Sequence, residues 1–429
     1  MIPHVRRLVP TVTERSAAPL SEEDVTPIDG VGGRFAPTTR LTVAVIAACP
    51  FPARRGTPVR IQRLAEELTQ RGHRVVVVTY HHGTGEPDPS VEVRRIRPIR
   101  SYHQLGPGPT YRKLLLLDPM LMAKLAGILR RERVDVIHAH HFEGLVVGAV
   151  ARLGRRIPMI FDVHTLLTSE LPHYPLPFMP AAIKRLLASA GDRRLPHWAD
   201  HVAVVTERIR AKLLEMRAIP ENRVTLVPNG VETDLFSLPG ANGWSAGARR
   251  PTLIFTGNLA PYQGVDLMLS AFQRVLARRG DARLQIVTES SFAAYEPMAR
   301  ELGVHGAIDV VQAPFAEIPA LLAGADVAVN PRIDCDGIPV KLLNYMAASK
   351  PVVSFVGSAP GLTHQETGWL VSDGDVDGFA QGALALLDDH EMARRLGRNA
   401  RQFVEAEHSW AKSAELCEEI YYRLLAARR

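Results

Sequence analysis

The chain has 429 residues, of which 46% are hydrophobic and 22% are charged, with a formal net charge of +6. This length exceeds one ordinary hydrophobic core and predicts two domains of about 200 residues each. The hydrophobic fraction excludes a largely disordered chain, and no apolar run reaches the roughly 18–20 residues that a membrane-spanning helix needs.

The charge is unevenly distributed along the chain. Residues 1–240 carry 33 Lys/Arg against 23 Asp/Glu, whereas residues 241–429 carry 18 against 22. A basic half could bind nucleic acid, but the sequence has no DNA-binding motif and no basic stripe interleaved with aromatic residues. We therefore predict no nucleic-acid partner, and we expect the basic half to meet an anionic membrane surface or a phosphorylated acceptor.

Residues 1–39 mix Pro, Ser, Glu and Arg without periodicity and have no apolar signal core, so we interpret them as a flexible N-terminal extension. The three cysteines, Cys49, Cys335 and Cys417, lack the spacing of metal or redox motifs. This usage suits a reducing compartment, so we expect a cytoplasmic protein without structural disulfides.

The first series of predicted elements begins with a continuous apolar run, LTVAVIAACP, typical of a parallel strand covered on both faces. Thr57 can cap the following helix, with Pro58 at its first position, and that helix ends at Gly72. Further strands of the series are HRVVVVTY, VEVRRIRPI, VDVIHAH, IPMIFDVH, HVAVVT and RVTLVPNG. Helical segments between most of these strands predict a doubly wound α/β domain over residues 40–236.

A segment rich in Gly, Pro and Ser, residues 237–250, has no periodicity and is predicted to be the linker. The apolar strands that follow are PTLIFTGNL, ARLQIVTE, AIDVVQA, ADVAVNP and KPVVSFV. They predict a second doubly wound domain over residues 251–407. Two such domains facing each other form a cleft at their junction, which is a common place for a ligand.

The stretch from Asp326 to Phe355 indicates a buried strand, a glycine-containing loop, a helix opened by Pro339 and a second buried strand. This order brings a loop and a helix N-terminus to the carboxyl edge of a parallel sheet, where open α/β folds bind ligands. The helix offers unpaired N–H groups to an anion, and Lys341 adds a positive charge within the first turn. Asp336 and Asn344, eight residues apart, supply hydroxyl-binding groups. A phosphate site beside hydroxyl-binding side chains is what a nucleotide sugar requires.

Eight elements in this order resemble the retaining family-4 glycosyltransferases (glycosyltransferase group 1), which have the GT-B architecture. The resembling elements are GHRVVVVT, DVIHAH, IPMIFDVH, VPNGVETDLF, FTGNLAPYQGVDLML, the stretch from Asp326 to Phe355, TGWLVSDGD and HSWAKSAELCEEIYYRLL. The resemblance implies two Rossmann-like domains facing across a cleft, with the C-terminal helix, residues 408–429, crossing back to the first domain. It also implies transfer of a hexosyl or related group from a nucleoside diphosphate sugar, without a metal or other cofactor.

By this resemblance the second domain holds the donor. The family usually has two glutamates eight residues apart, one on the transferred sugar and one on the ribose, and Asp336 and Asn344 occupy those positions. The alternative for Asn344 is an ordinary surface residue of the helix. Many relatives also carry Arg and Lys in the strand-to-helix turn, where Asn258 and Gln263 leave the pyrophosphate without those two cations, and Lys341 is the leading substitute. The remaining implied donor-binding residues are Gly257, Arg332, Gly337, Ile338 and Pro339.

The first domain supplies the acceptor side. Gly56 and Thr57 follow the first strand and are expected to bring N–H groups near the donor phosphate or the acceptor hydroxyl; otherwise Gly56 is merely a turn glycine. His164 ends the strand IPMIFDVH, where the family often has a histidine near the sugar. The catalytic residues implied are therefore His164, Asp336 and Lys341, with front-face attack in which the departing phosphate oxygen accepts the acceptor's proton.

A histidine-rich strand end raises the question of a metal. His138, His140 and His141 lie close together in the sequence, but alternation along a strand points neighbours to opposite faces. No carboxylate pattern completes a site, so we predict no metal.

Two segments of the basic half could contact a membrane. Residues 109–135 are rich in Met, Leu and basic residues, and PFMPAAIKRLLASAGDRR is a second, weaker candidate. Such segments can lie on anionic membranes, and a plain core-facing helix explains both about as well. We expect a glycan, a lipid-linked molecule or a small molecule as acceptor, and peripheral attachment to the inner face of the cell membrane.

Three hypotheses for function remain open. The leading one is a retaining glycosyltransferase. The second is a catalytically weak or inactive GT-B scaffold in a glycan-assembly complex, favoured by Asn258, Gln263 and Asn344. The third is a nucleotide-sugar epimerase, which needs no acceptor. The sequence does not identify the nucleotide base, the sugar, the acceptor or the linkage.

Overall fold

The computed structural model describes residues 39–53, 56–100, 102, 112–173, 179–236, 250–335 and 338–428. From Arg40 onward the chain forms one compact unit that contains two parallel β-sheets. The strands of the first sheet are β1 (Thr42–Ala47), β2 (Arg74–Thr79), β3 (Glu92–Arg95), β4 (Val136–His140), β5 (Met159–Val163), β6 (His201–Val204) and β7 (Val224–Leu226). They lie in the order β3-β2-β1-β4-β5-β6-β7.

The helices associated with this sheet lie between its strands. They are α1 (Thr57–Gln70), α2 (Asp118–Arg131), α3 (His141–Ala151), α4 (Leu167–Glu170), α5 (Ala181–Arg194) and α6 (Glu207–Glu215). A short π-helical turn, Lys113–Leu117, leads directly into α2. This alternation of strand and helix confirms the predicted doubly wound first domain.

The second sheet has six strands. They are β8 (Thr252–Thr256), β9 (Arg283–Val287), β10 (Ile308–Val311), β11 (Val327–Asn330), β12 (Val352–Phe355) and β13 (Trp369–Val371), in the order β10-β9-β8-β11-β12-β13. Its helices are α7 (Val265–Arg278), α8 (Glu296–Glu301), α9 (Ile318–Gly324), α10 (Val340–Ala347), α11 (Val376–Asp388) and α12 (His390–Glu407). The edge strand β13 was not among the predicted strands, because it is only three residues long and lies between turns.

Both sheets are covered on both faces, as their continuous apolar strands predicted. Every residue of β4 and β5 is buried. Alternate residues of β1 enter different apolar clusters, with Ile46 on one side of the sheet and Val45 on the other. The second sheet likewise separates two apolar clusters. Each domain therefore has its own core, and the carboxyl ends of the strands are left to loops.

Polar residues at the helix starts explain where several helices begin. The Thr206 hydroxyl accepts from the Ile209 backbone N–H at the start of α6, and Asp375 accepts from Gly378 at the start of α11. Each such contact satisfies one of the backbone donors that a helix N-terminus leaves unpaired. These caps are short-range and readable from the sequence.

The last helix, α13 (Trp410–Ala426), crosses back to the first domain as predicted. Its buried residues include Trp410 and Tyr421, which belong to the same apolar cluster as β1 and α1. In the opposite sense, Val231 and Phe236 pack into a cluster of the second domain, although the predicted boundary of the first domain is residue 236. The chain therefore crosses between the domains twice, near Val231 and again near Ser409, where the two crossings form a parallel β-bridge.

Some predicted features lie outside the described residues. Among these are residues 1–38 of the predicted extension, the predicted linker over residues 237–249, residues 109–111 of the first predicted membrane segment and residues 177–178 of the second. Among the helices that the structure describes, none is both long enough and apolar enough to cross a bilayer.

Candidate functional site

Two loops of the second domain meet at the carboxyl edge of its sheet. The first runs from Gly257 to Gly264, between β8 and α7, and the second precedes α10, whose N-cap is Pro339. Lys341 Nζ donates to Gln263 Oε1 over 2.7 Å, and a Cβ on Gly257 would lie 3.9 Å from Lys341 Cδ. The structure thus brings the predicted turn and the predicted helix N-terminus into direct contact.

The surroundings of Lys341 favour the neutral form of its amine. The side chain is half-buried, and Nζ lies 4.1 Å from the centroid of the Phe255 ring. Burial, together with the nearby Arg332 guanidinium, lowers the pKa of Lys341 to about 7. Its described hydrogen-bond partner is a neutral amide, so the ammonium has no described carboxylate to hold it in its charged form.

The amides that replace the usual cations form one small network. Gln263 is buried, and its Nε2 atom donates to Asn258 Oδ1 over 3.4 Å. Asn258 in turn donates to the Tyr262 hydroxyl over 3.1 Å. These amides hydrogen-bond to one another and to Lys341. The turn therefore presents ordered amide groups and one ammonium at its surface.

Arg332 lies beside the same turn. Its guanidinium stacks over the Tyr262 ring at 4.9 Å and its Nε donates to the Asp334 carbonyl over 2.5 Å. The arginine is therefore held near the turn, and its contact with a donor stays a prediction.

The burial of Asn344 on helix α10 could not be predicted from the sequence. Asn344 is only 6% exposed, so the alternative of an ordinary surface helix residue is wrong. Ile338 is half-buried and Pro339 is buried, directly before the helix. Asp336 and Gly337, the predicted sugar contact and its neighbour, lie outside the described residues.

A further residue fixes this helix to the sheet. The Tyr345 hydroxyl accepts from the Thr256 backbone N–H over 2.7 Å at the end of β8. The hydroxyl is thus part of what holds α10 against the Gly257 turn. Sequence reasoning missed this tyrosine because nothing in the chain order pairs residues 256 and 345.

On the first-domain side, Gly56 is the N-cap of α1, with φ 53° and ψ −132°. The prediction that Thr57 caps this helix is wrong, because Thr57 is its first residue and makes no cap hydrogen bond. Its hydroxyl lies 2.5 Å from His141 Nε2 and 3.5 Å from His164 Nδ1. Thr57 therefore joins the glycine turn to the histidines at the ends of β4 and β5.

These histidines form a buried cluster with Asp162. His140 Nδ1 lies 3.0 Å from His164 Nε2, and His138 Nε2 lies 3.3 Å from Asp162 Oδ2. His138 and His140 are two residues apart on β4 and share a face, so the argument that alternation separates this histidine group was wrong for this pair. The register pairs His140 with Asp162 on the neighbouring strand. The repeated spacing, His-x-His followed by Asp-x-His, was the signal that could have predicted the cluster.

Electrostatics favour the neutral form of two imidazoles of the cluster, beside one buried ion pair. Burial lowers the pKa values of His140 and His164 well below the usual histidine range. Burial raises the pKa of Asp162, but the charge of Arg60, the largest opposing influence, helps to hold that pKa well below its ordinary value. Arg60 Nε donates to Asp162 Oδ2 over 3.0 Å. The two imidazoles are thus neutral at pH 7 and the carboxylate is paired.

Three donor atoms of this cluster could reach a single cation. The ligand atoms of His138, His140 and Asp162 all lie within 4.8 Å of one another. Arg60, however, already neutralises Asp162, so a divalent ion would leave the buried group with excess positive charge. The donor set therefore fits a metal poorly, and the absence of a bound metal stays a prediction.

The two domains touch at the loop between β11 and α10, which we call the donor loop after its predicted role. Arg208 of α6 pairs with Asp334 over 2.7 Å and donates to the Cys335 carbonyl over 3.2 Å. The exposed pair links the first domain to the loop that precedes α10. The two domains therefore meet at a cleft beside this loop.

Family matches cover both sides of this cleft. Residues 55–230 match the glycosyl transferase 4-like domain, and residues 250–389 match the glycosyl transferases group 1 domain. This chain is a family-4, group 1 glycosyltransferase. The two matched ranges correspond to the two Rossmann-like domains, and the predicted family is confirmed.

Similar proteins agree with this assignment. The D-inositol 3-phosphate glycosyltransferase of Corynebacterium glutamicum is 27% identical over 396 residues, which span 86% of this chain and 92% of that relative. Sucrose-phosphate synthase from Thermosynechococcus elongatus superposes with a TM-score of 0.71 at 20% identity, covering 90% of this chain and 100% of that one. Anabaena HepE in complex with UDP gives a TM-score of 0.69 at 16% identity, with the same coverage. The structural likenesses confirm the GT-B fold of this glycosyltransferase.

Proposed function

We propose that this glycosyltransferase moves a sugar, with retention and without a metal, from a nucleoside diphosphate sugar to an acceptor hydroxyl. The observation that carries the proposal is the contact between Lys341 and Gln263. It brings the one described lysine ammonium of the donor loops to the turn from which the usual cations are missing. A diphosphate bound there would meet this ammonium, the backbone N–H groups of the α10 N-terminus and the amides of the turn.

We assign a role in donor binding to each residue near Lys341. Gly257 and Asn258 would lie against the diphosphate, and the turn before α10, with Ile338 and Pro339, would present its N–H groups. Asn344 would bind the ribose hydroxyls. Asp336 and Gly337 are expected beside the transferred sugar, as the family resemblance implies.

On the acceptor side, His164 would act as a neutral hydrogen-bonding group. Its lowered pKa, caused mainly by burial, makes an imidazolium unavailable at pH 7. Thr57, 3.5 Å from its Nδ1 atom, extends this polar chain towards the Gly56 turn. Proton transfer would then fall to the departing phosphate oxygen, with the protein supplying position and water exclusion.

The comparisons suggest where a substrate search should start. HepE was solved with UDP and with UDP-glucose, and the Corynebacterium relative is named for D-inositol 3-phosphate. We therefore propose a uridine diphosphate sugar as the first donor to test. Phosphorylated polyols, glycans and lipid-linked molecules remain alternative acceptors, and all contain free hydroxyls.

A second function has one specific observation in its favour. Asn258 and Gln263 remove both usual pyrophosphate cations, which fits a GT-B scaffold that no longer transfers sugar. The two readings differ in one measurable property, because a scaffold without a working donor site should not bind a nucleoside diphosphate selectively. A nucleotide-sugar epimerase would bind the diphosphate but would convert the sugar without an acceptor.

The test is calorimetric titration of the full chain with UDP, GDP, ADP, CDP and dTDP, repeated with Lys341→Met. We expect one diphosphate to bind selectively, and the substitution to weaken that binding by about tenfold or more, as expected for loss of a charge-assisted contact. The double variant Gln263→Lys with Lys341→Met returns the cation to the turn and should recover most of the loss. Failure of all five diphosphates to bind would refute the donor site and favour the scaffold.

A further inference from the structure

The large apolar residues in the first half of helix α5 face solvent and not the protein core. Its buried residues are Lys184, Ala188 and Asp192, which are spaced at four-residue intervals along one face. Leu186, by contrast, is 69% exposed, and Ile183 and Leu187 are about half exposed. The plain core-facing helix that the sequence allowed is therefore wrong for these residues, since the face towards the protein is the polar one.

The π-helical turn before α2 has the same reversed pattern. Lys113 and Leu117 are buried at its two ends. Between them, Leu115 is 77% exposed, and Leu114 and Leu116 are about half exposed. Three consecutive leucines open to solvent are not a feature that a surface turn needs for folding.

Both segments border the histidine cluster of the acceptor side. Burial lowers the pKa of His141, the nearby charges of Glu170 and Asp162 oppose this shift, and the charge of Lys113 adds to it. Asp192 of α5 accepts from the backbone N–H groups of Leu167 and Thr168, just beyond His164. The two segments therefore lie near the carboxyl ends of β4 and β5, on the side where an acceptor would enter.

The charges that accompany these leucines are positive. Within residues 112–118 and 181–194, the acidic residues are Asp118 and Asp192, and both are buried. The exposed charged residues of the same ranges are Arg112, Arg185, Arg193 and Arg194. The exposed leucines and arginines of these two ranges, which contain no exposed acidic residue, complement a negative surface that has an apolar interior.

We infer that the exposed apolar residues of these two segments, Leu114, Leu115, Leu116, Ile183, Leu186 and Leu187, dock together on an anionic lipid bilayer, and we call them the leucine surface. The leucines enter the acyl boundary and the arginines pair with anionic headgroups. Such docking would present the acceptor side of the cleft to the membrane. The consequence for the substrate, a lipid-linked acceptor hydroxyl, rests on the proposed transferase function, whereas the docking itself does not.

The experiment is co-sedimentation of the full-length protein with two kinds of vesicle, pure phosphatidylcholine and phosphatidylcholine with phosphatidylglycerol. We expect binding to the anionic vesicles only, weakened by added salt. Leu115→Glu and Leu186→Glu should each lower the vesicle partition coefficient by about tenfold or more, because each removes a leucine that would enter the acyl region and adds a charge of the same sign as the headgroups.

The matched control is Leu153→Glu. Leu153 is 75% exposed in the loop before β5, at the opposite edge of the sheet, and should leave vesicle binding unchanged. Milder variants, Leu115→Ser and Leu186→Ser, with thermal melting of every protein, guard against effects of misfolding.

Three results would overturn the inference. One is equal sedimentation of the wild type with both vesicles or with neither, and another is equal loss of binding in the Leu153 control. The third is a dimer, seen by light scattering, that Leu115→Glu dissociates, since the leucine surface would then bind a second copy. Diphosphate titration of the same variants separates the two proposals, because the donor site can fail while vesicle binding holds.

Discussion

Lys341 determines the proposed donor chemistry at the scale of single residues. Its ammonium contacts the Gln263 amide and lies over the Phe255 ring, where few groups compensate its charge. The amides of the turn alone would leave a bound diphosphate without a cation. Lys341 reaches that position from a different element, helix α10, and would supply a positive charge there.

This arrangement predicts that diphosphate binding takes up a proton. The pKa of free Lys341 is lowered to about 7, mainly by burial, and a bound diphosphate would raise it by opposite charge. The protein therefore gains about one proton on binding at pH 8 and far less at pH 6, and affinity should fall as pH rises above about 7. Calorimetry in two buffers of different ionisation enthalpy measures the uptake. Lys341→Met should remove it, and an unchanged uptake in that variant would assign the proton to another group.

Two glycines illustrate how the helix starts are built at the scale of elements. Gly56 and Gly264 are the N-caps of α1 and α7, and both have positive φ, 53° and 70°. A Cβ on Gly56 would meet nothing within 4 Å, whereas one on Gly264 would lie 2.2 Å from the Pro331 carbonyl oxygen. The first turn is constrained by backbone angle alone, and the second also by the neighbouring loop.

We therefore expect Gly264→Ala to destabilise the protein more than Gly56→Ala. Each substitution adds backbone strain of about 1–3 kcal/mol, and only Gly264→Ala also forces the donor loop to move. Thermal melting of the two variants compares the losses, and diphosphate titration should show the larger loss of binding for Gly264→Ala. Equal melting temperatures would contradict the close contact with Pro331.

At the scale of the whole molecule, the last helix connects the C-terminal end of the chain with the interior of the first domain. The Tyr421 hydroxyl lies 2.7 Å from His138 Nδ1, and His138 Nε2 faces Asp162. A buried polar chain thus runs from α13 to the histidine cluster beside the acceptor side. The crossing helix both covers apolar surface and completes this chain.

Tyr421→Phe removes the hydroxyl but keeps the ring. We expect a loss of about 1–3 kcal/mol in unfolding free energy, because His138 Nδ1 is left buried without its partner. Tyr422→Phe, on the same helix but partly exposed, is the matched control and should cost less. Denaturant unfolding measures both, and diphosphate affinity should stay unchanged because the donor loops belong to the second domain. If Tyr421→Phe is as stable as Tyr422→Phe, the buried polar chain does not contribute to the stability of the protein.

The family resemblance implied the crossing of the last helix, whereas the sequence by itself determined the two α/β domains and the loop that would hold a donor. These follow from short-range signals, such as the continuous apolar strands, Pro339 before its helix and the order of the motifs. The helix cap at Thr57 was predicted wrongly from the same kind of signal, because the hydroxyl found partners on β4 and β5 that are distant in sequence.

Only the tertiary structure decided which side chains meet and which remain open to solvent. It placed Lys341 on Gln263, gathered three histidines around Asp162, buried Asn344 and turned the leucines of α5 outward. The physical reason is that local patterns fix where a helix or strand begins, whereas the direction of each face depends on elements distant in sequence. Burial and charge at the site arise from those long-range contacts, and so they could not be predicted from the chain order alone.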